Sequence, residues 1–138
     1  MIHESKIAFT KVDENGNDKV IKERYLIAEA ESFGDAEEQT YDFCDGETGL
    51  DVIDVKRSKI KEILNSRDTG DDNIFVADIA DVQHNDDGEE VEIVYKVALF
   101  ALSFDDAYAK LNVYLKQGYS MQIIGVKKTK FVDLIIIK

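Results

Sequence analysis

Proline is absent from the 138 residues and cysteine occurs once. Without proline, no segment has the composition of a stiff, extended linker. A single cysteine cannot close an internal disulfide, so a reducing cytoplasm is the expected compartment. No apolar run approaches the roughly 18 residues needed to span a bilayer. The N-terminus, Met1-Ile2-His3-Glu4-Ser5-Lys6, lacks the basic and apolar regions of a signal peptide. There are only two histidines, and no Cys/His cluster has zinc spacing. Neither a phosphate-cradling glycine loop nor a dinucleotide fingerprint occurs. A protein without cofactor, metal or membrane is expected.

Basic residues are also scarce, 17 against 29 acids, for a net charge of −12. Taken whole, that balance argues against nucleic acid as a partner. Its distribution is less simple. Residues 25–55 hold ten acids and no lysine or arginine, and residues 68–95 repeat that count. The rest of the chain therefore carries all 17 basic residues against nine acids. An apolar fraction of 44% and a charged fraction of 33% fit a globular protein with one core, or two small halves sharing a sheet.

What the chain does contain is a copy of itself. Ser32-Phe33-Gly34-Asp35-Ala36 returns as Ser103-Phe104-Asp105-Asp106-Ala107. At the same offset, Val52 to Ile60 returns as Ile123 to Phe131. Aligned without a gap, residues 25–64 and 96–135 share 9 of 40 positions. Internal repetition governs architecture, so the expectation is a single domain over 1–138 made of two repeats, 5–64 and 73–138. The polar stretch Asn65–Asp72 would join them.

Each repeat opens on a hairpin: residues 6–12 and 20–30 about a turn at Asp13–Asn17, then 74–79 and 91–102 about Asn85–Gly88. Asn15-Gly16 offers the positive φ that a tight reversal needs. Ser32 and Ser103 stand as helix N-caps, with Asp35 and Asp106 three residues on in the capping-box position. The predicted apolar stripes are Phe33, Ala36, Phe43 and Cys44 on the first helix. On the second they are Phe104, Ala107, Leu111, Tyr114 and Leu115, with Tyr108 alongside. Gly46, Gly49 and Gly118 release the chain into a third strand. The unit reads β-β-α-β, and two of them predict an α+β fold: one mainly antiparallel sheet, two helices on one face, and a pseudo-twofold axis. The apolar end, Phe131 to Ile137, reads as a central strand of that sheet. Its alternative is an edge that pairs with a second subunit, giving a homodimer.

The third strands turn basic in both repeats. Lys56, Arg57, Lys59 and Lys61 answer to Lys127, Lys128 and Lys130. Cations beside aromatic rings are what a single-stranded nucleic acid requires, for its phosphates and its stacked bases. Tyr25, Tyr119 and Phe131 are the candidate rings. Lysines also keep an edge strand from pairing with other chains, and this plainer role stays open. Asp68, Asp71, Asp72, Asp86, Asp87, Glu89 and Glu90 lack the alternating ligand spacing of a calcium loop and read as solvated charge. Cys44 reads as a small core residue. His84 at a hairpin tip and His3 near the terminus have no orienting partner for catalysis.

The order of hairpin, Ser-Phe-x-Asp-Ala helix and Asp54-Val55-Lys56-Arg57-Ser58-Lys59-Ile60-Lys61-Glu62-Ile63 resembles a family of uncharacterised small proteins of Bacteroidetes and their tailed phages. The resemblance implies a bacterial or phage-encoded cytoplasmic protein and carries over no catalytic residue. Lys127-Lys128-Thr129-Lys130 is more basic than the resemblance implies. The expected function is non-enzymatic binding of single-stranded nucleic acid, DNA before RNA, through the duplicated basic strands. The alternative is an acidic protein-interaction module, such as a phage inhibitor of a host defence or nucleic-acid enzyme, in which the acids imitate a phosphate backbone.

Overall fold

The computed structural model describes residues 1–115 and 121–136. Gly118 and Tyr119 lie outside the described residues. In chain order the elements are β1 (His3–Val12), β2 (Asp18–Ile27), α1 (Phe33–Phe43), β3 (Asp51–Arg57), β4 (Ile60–Ile63), β5 (Asn73–His84), β6 (Glu90–Ala101), α2 (Phe104–Leu115), β7 (Met121–Lys128) and β8 (Phe131–Ile135). The fold is α+β. Its strands make two four-stranded, mostly antiparallel sheets, ordered β3-β1-β2-β8 and β4-β6-β5-β7. Two compact units follow: Met1–Ser58 with the C-terminal segment from Lys130, and Lys59–Thr129.

The one sheet expected from the sequence is thus two, each with a single helix. The reason lies in the connectors. Ser58-Lys59 and Thr129-Lys130 are two residues long, and no non-glycine residue among those described has a positive φ. A two-residue hairpin needs such angles, so β4 does not fold back on β3. It pairs in parallel with β6, while β8 pairs in parallel with β2. β8 is an edge strand of its sheet, not the central strand expected, although Leu134 and Ile135 are buried.

The first unit is organised by its hairpin. The Asp13 side chain accepts from the Asn15 and Asn17 amides, both at 2.9 Å, and Gly16 takes φ +80°. Asn85 does the same for Asp87 and Glu89, with Gly88 again at +80°. Alternation along β1 then buries His3, Ser5, Ile7 and Phe9 beneath α1. His3 is therefore a core residue of the strand and not part of a loose terminus; its Nδ1 lies 2.9 Å from the Met1 carbonyl.

The helix stripes differ from those expected. On α1, Ala36, Gln39, Thr40 and Cys44 are buried while Phe33 and Phe43 are exposed. The Thr40 hydroxyl donates to the Ala36 carbonyl (2.8 Å) and lies 3.0 Å from Ser5 Oγ. Small side chains let α1 approach β1 closely, and the two phenylalanines close its margins edge-on against His3 and Tyr25. On α2, Ala107 and Leu111 are fully buried with Phe75, Val97 and Leu99. Phe104 is 48% exposed and meets Phe75 edge-on at 5.1 Å.

Both helices start where the serines place them. Ser32 Oγ accepts from the Asp35 amide at 3.0 Å and Ser103 Oγ from the Asp106 amide at 3.1 Å. The aspartates answer one residue further out than a standard capping box, accepting from Glu31 and Leu102 at 2.9 Å. Ser103→Ala should cost about 1 kcal/mol, as N-cap losses do, measurable as a lower denaturant midpoint.

The Leu102 amide, followed by the Lys110 ammonium, holds the Asp106 carboxyl below its ordinary pKa. A carboxylate depressed in the folded state adds stability that is complete above its unfolded pKa and lost as pH falls through the folded one. The gap in melting temperature between the parent and Asp106→Asn should be widest above about pH 4 and close on further acidification. A gap constant from pH 7 to pH 3 would show that the charge is not what stabilises this cap.

Candidate nucleic-acid interface

Because strand side chains alternate, the residues of β1 and β2 that do not face α1 share the opposite face of the first sheet. The hairpin register sets Lys6 opposite Arg24 and Ala8 opposite Lys22. β3 adds Lys56 beside Glu4 and Asp54 beside Lys6. Two rows result, Lys56–Glu4–Leu26 and Asp54–Lys6–Arg24, with Lys22 next along β2. Neighbours within a row are about 5 Å apart. Lys22, Arg24 and Lys56 are exposed and Lys6 half-buried. Lys56 Nζ is 3.9 Å from a Glu4 carboxylate that also accepts from Ser58 Oγ at 2.8 Å. The same register sets Asp51 beside Ala8 and Asp18 opposite Val12, so four cations share this face with four acids, in a chain where acids outnumber basic residues overall.

Of the seven basic residues singled out in the third-strand segments, only Lys56 belongs to this face. Arg57 pairs with His3 on the α1 side of the same edge strand. Lys130 precedes β8 at the opposite edge of the sheet, with β1 and β2 between. In the second unit, Lys59 and Lys61 lie at β4, and Lys127 and Lys128 on β7, again opposite edges. Lys61 Nζ sits 4.5 Å from the Tyr95 ring centroid. All seven are exposed, and neither unit gathers its share into one patch.

The aromatic candidates divide likewise. Tyr25 is 7% exposed in the first core, and burial pushes its hydroxyl pKa up. It cannot offer a face to a base. Phe131, half-buried, lies in register with Arg24. Lys6, Lys22 and Arg24 were not among the residues singled out from sequence. The signal was present: a turn at 13–17 pairs residues whose numbers sum to thirty, which puts Lys6 against Arg24.

The remaining candidates have structural roles. Asp72 is buried, not solvated; its carboxylate accepts from the Asp68 amide at 2.7 Å and the Thr69 amide at 3.2 Å, and the first of these chiefly lowers its pKa. Burial pushes the Cys44 thiol up, which suits a packed side chain. Among the described residues, no group of three or more His, Cys, Asp or Glu is placed to hold a metal ion. A cavity of about 400 Å³ lies between α2 and β4, lined by Glu62, Leu64, Asn65, Leu99, Lys110, Val113 and Tyr114. Its polar groups are engaged with one another and with the fold: Lys110 donates to the Phe100 carbonyl at 3.0 Å and pairs with Asp106 at 3.2 Å. Tyr114 meets Tyr95 at 3.1 Å.

Residues 1–137 match a family described as a domain of unknown function, DUF4494. The chain belongs to the DUF4494 family. The match runs through both units, so the DUF4494 domain spans the two. No curated protein matches the chain. Among the described residues of this DUF4494 member, no helix is long and apolar enough to cross a membrane.

Proposed function

We propose that this DUF4494 protein is a non-enzymatic binder of single-stranded nucleic acid, DNA before RNA, acting in replication or repair in a bacterial cytoplasm and encoded by a bacterium or its phage. One observation carries the reading: Lys6, Lys22, Arg24 and Lys56, dispersed in the sequence, share the sheet face opposite α1, and three of them are exposed. Cations gathered on one sheet face suit a single-stranded backbone, since each neutralised phosphate releases condensed counterions. Phe131 at the end of the Arg24 row supplies a ring for stacking. Arg57 and Lys130 add exposed positive charge to the same unit, and Lys59, Lys61, Lys127 and Lys128 are exposed on the second. The matched element order of the two units supports reading the chain as a duplicated β-β-α-β unit.

The test is fluorescence anisotropy with labelled single-stranded DNA from about 50 mM salt upward, where phosphate binding is strongest at the low end. Absence of affinity at the low end would end this reading. A second reading would then take its place. Glu37, Glu38, Asp42, Asp45 and Glu47 are exposed on and just after α1, which favours an acidic module that occupies the nucleic-acid site of another protein.

A further inference from the structure

The hairpin of the second unit runs past its neighbours. β7 pairs with β5 only as far as Asp81, and β4 reaches β6 no nearer the turn than Lys96. Beyond these points, Val82–His84 and Glu90–Tyr95 have no strand neighbour but each other among the described strands. The result is a two-stranded ribbon and, among the described residues, its β6 side, Glu90–Tyr95, is an unpaired edge. Val82, Val91, Ile93 and Val94 on the ribbon are between 36% and 54% exposed. Such an edge with branched side chains is a template for another strand.

Its charge selects which strand. Residues 81–95 hold six acids, Asp81, Asp86, Asp87, Glu89, Glu90 and Glu92, and no lysine or arginine. The hairpin of the first unit instead carries Lys11, Lys19 and Lys22, the usual guards of an exposed edge. Alternation sorts the ribbon into two faces. Glu90 and Glu92 share one with His84 and Val82, and Val91 and Ile93 share the other with Gln83 and Asp81.

We propose that the ribbon 82–95 docks an extended segment of a partner protein in which lysine or arginine alternates with branched apolar residues. Main-chain pairing along the open edge supplies affinity, and alternate side chains supply specificity. The segment's cations fall beside Glu90 and Glu92, and its apolar residues beside Val91 and Ile93. Two ribbons from separate copies set acid against acid, so like charge excludes self-pairing. This surface is separate from the cation rows of β1, β2 and β3, and stands or falls apart from the nucleic-acid reading.

The experiment uses the full chain and a labelled peptide of about eight residues alternating Lys and Val, a usual strand length. A peptide of the same composition with its lysines in one block is the control. The alternating peptide should bind, and amide exchange should slow within 90–95 of the parent protein. Glu90→Lys with Glu92→Lys should weaken binding about tenfold, as loss of two exposed charge pairs allows. Equal binding of the block peptide would overturn the proposal, as would binding without slowed exchange in the ribbon. Concentration-dependent self-association in sedimentation that the two substitutions abolish would overturn it in favour of a second copy.

Discussion

Replacing Lys6, Lys22, Arg24 and Lys56 together with glutamine should lower affinity for single-stranded DNA by between roughly three and four orders of magnitude at about 50 mM salt. Each phosphate contact on a single strand contributes about −0.7 to the slope of log affinity against log salt, so losing four should flatten it by about 3. That contribution vanishes near 1 M and grows to nearly tenfold per contact at about 50 mM. Three of the four side chains are exposed on one sheet face, so the fold should survive, and far-UV circular dichroism checks that it does. The comparison set is Arg57, Lys59, Lys127 and Lys128. These lie on the edge strands β3 and β7 and before β4, not in the rows, so their replacement should change the slope by less. Equal effects from the two sets would mean that net charge, not the rows, does the binding. Residual binding should read little base identity, because phosphates and stacked rings are common to all bases.

Leu111→Ala should be the most damaging single truncation on α2, costing about 2–5 kcal/mol. Leu111 is fully buried against the second sheet, among Phe75, Val97 and Leu99, so truncation loses its apolar burial and leaves a cavity among them. Phe104→Ala removes a larger side chain but should cost only about 1 kcal/mol, the worth of an edge-on aromatic pair. Its ring is 48% exposed and its ring contact is with Phe75. Denaturant midpoints of the two variants measure the difference. Equal losses would mean that Phe104 packs as deeply as its place on the sequence stripe suggested.

These two residues show where a helical stripe stops being informative. Spacing put Phe104 and Leu111 on one face of α2, and Phe33, Ala36 and Cys44 on one face of α1. It could not say how closely each helix approaches its sheet. On α1 the approach is set by small partners, Ala36 and Thr40 over Ser5, which pushes the phenylalanines to the margin and buries Gln39. Gln39 Nε2 donates to the Glu29 carbonyl at 2.9 Å, so a polar residue occupies a core position that hydropathy alone assigns to surface. The cation rows were legible in principle from the turn and the alternation of β1 and β2. They were obscured because Lys6, Lys22 and Arg24 are dispersed along the chain, whereas the lysines after β3 and β7 are consecutive.

Local sequence was enough to place the two hairpin turns, because an Asp or Asn side chain capping its own loop, followed by glycine, has few other conformations. It also placed both helix starts, through a serine oxygen and an aspartate acting on amides within four residues. The partners of β4 and β8 were decided only in three dimensions. A strand offers the same row of main-chain donors and acceptors to any open sheet edge, so its own residues do not name its neighbour. With no positive φ at Ser58 or Lys59 to turn β4 back on β3, the open edge of β6 took it. The edge of β2 took β8 for the same reason. That exchange divided one expected sheet into two, and left the seven basic residues on separate edges.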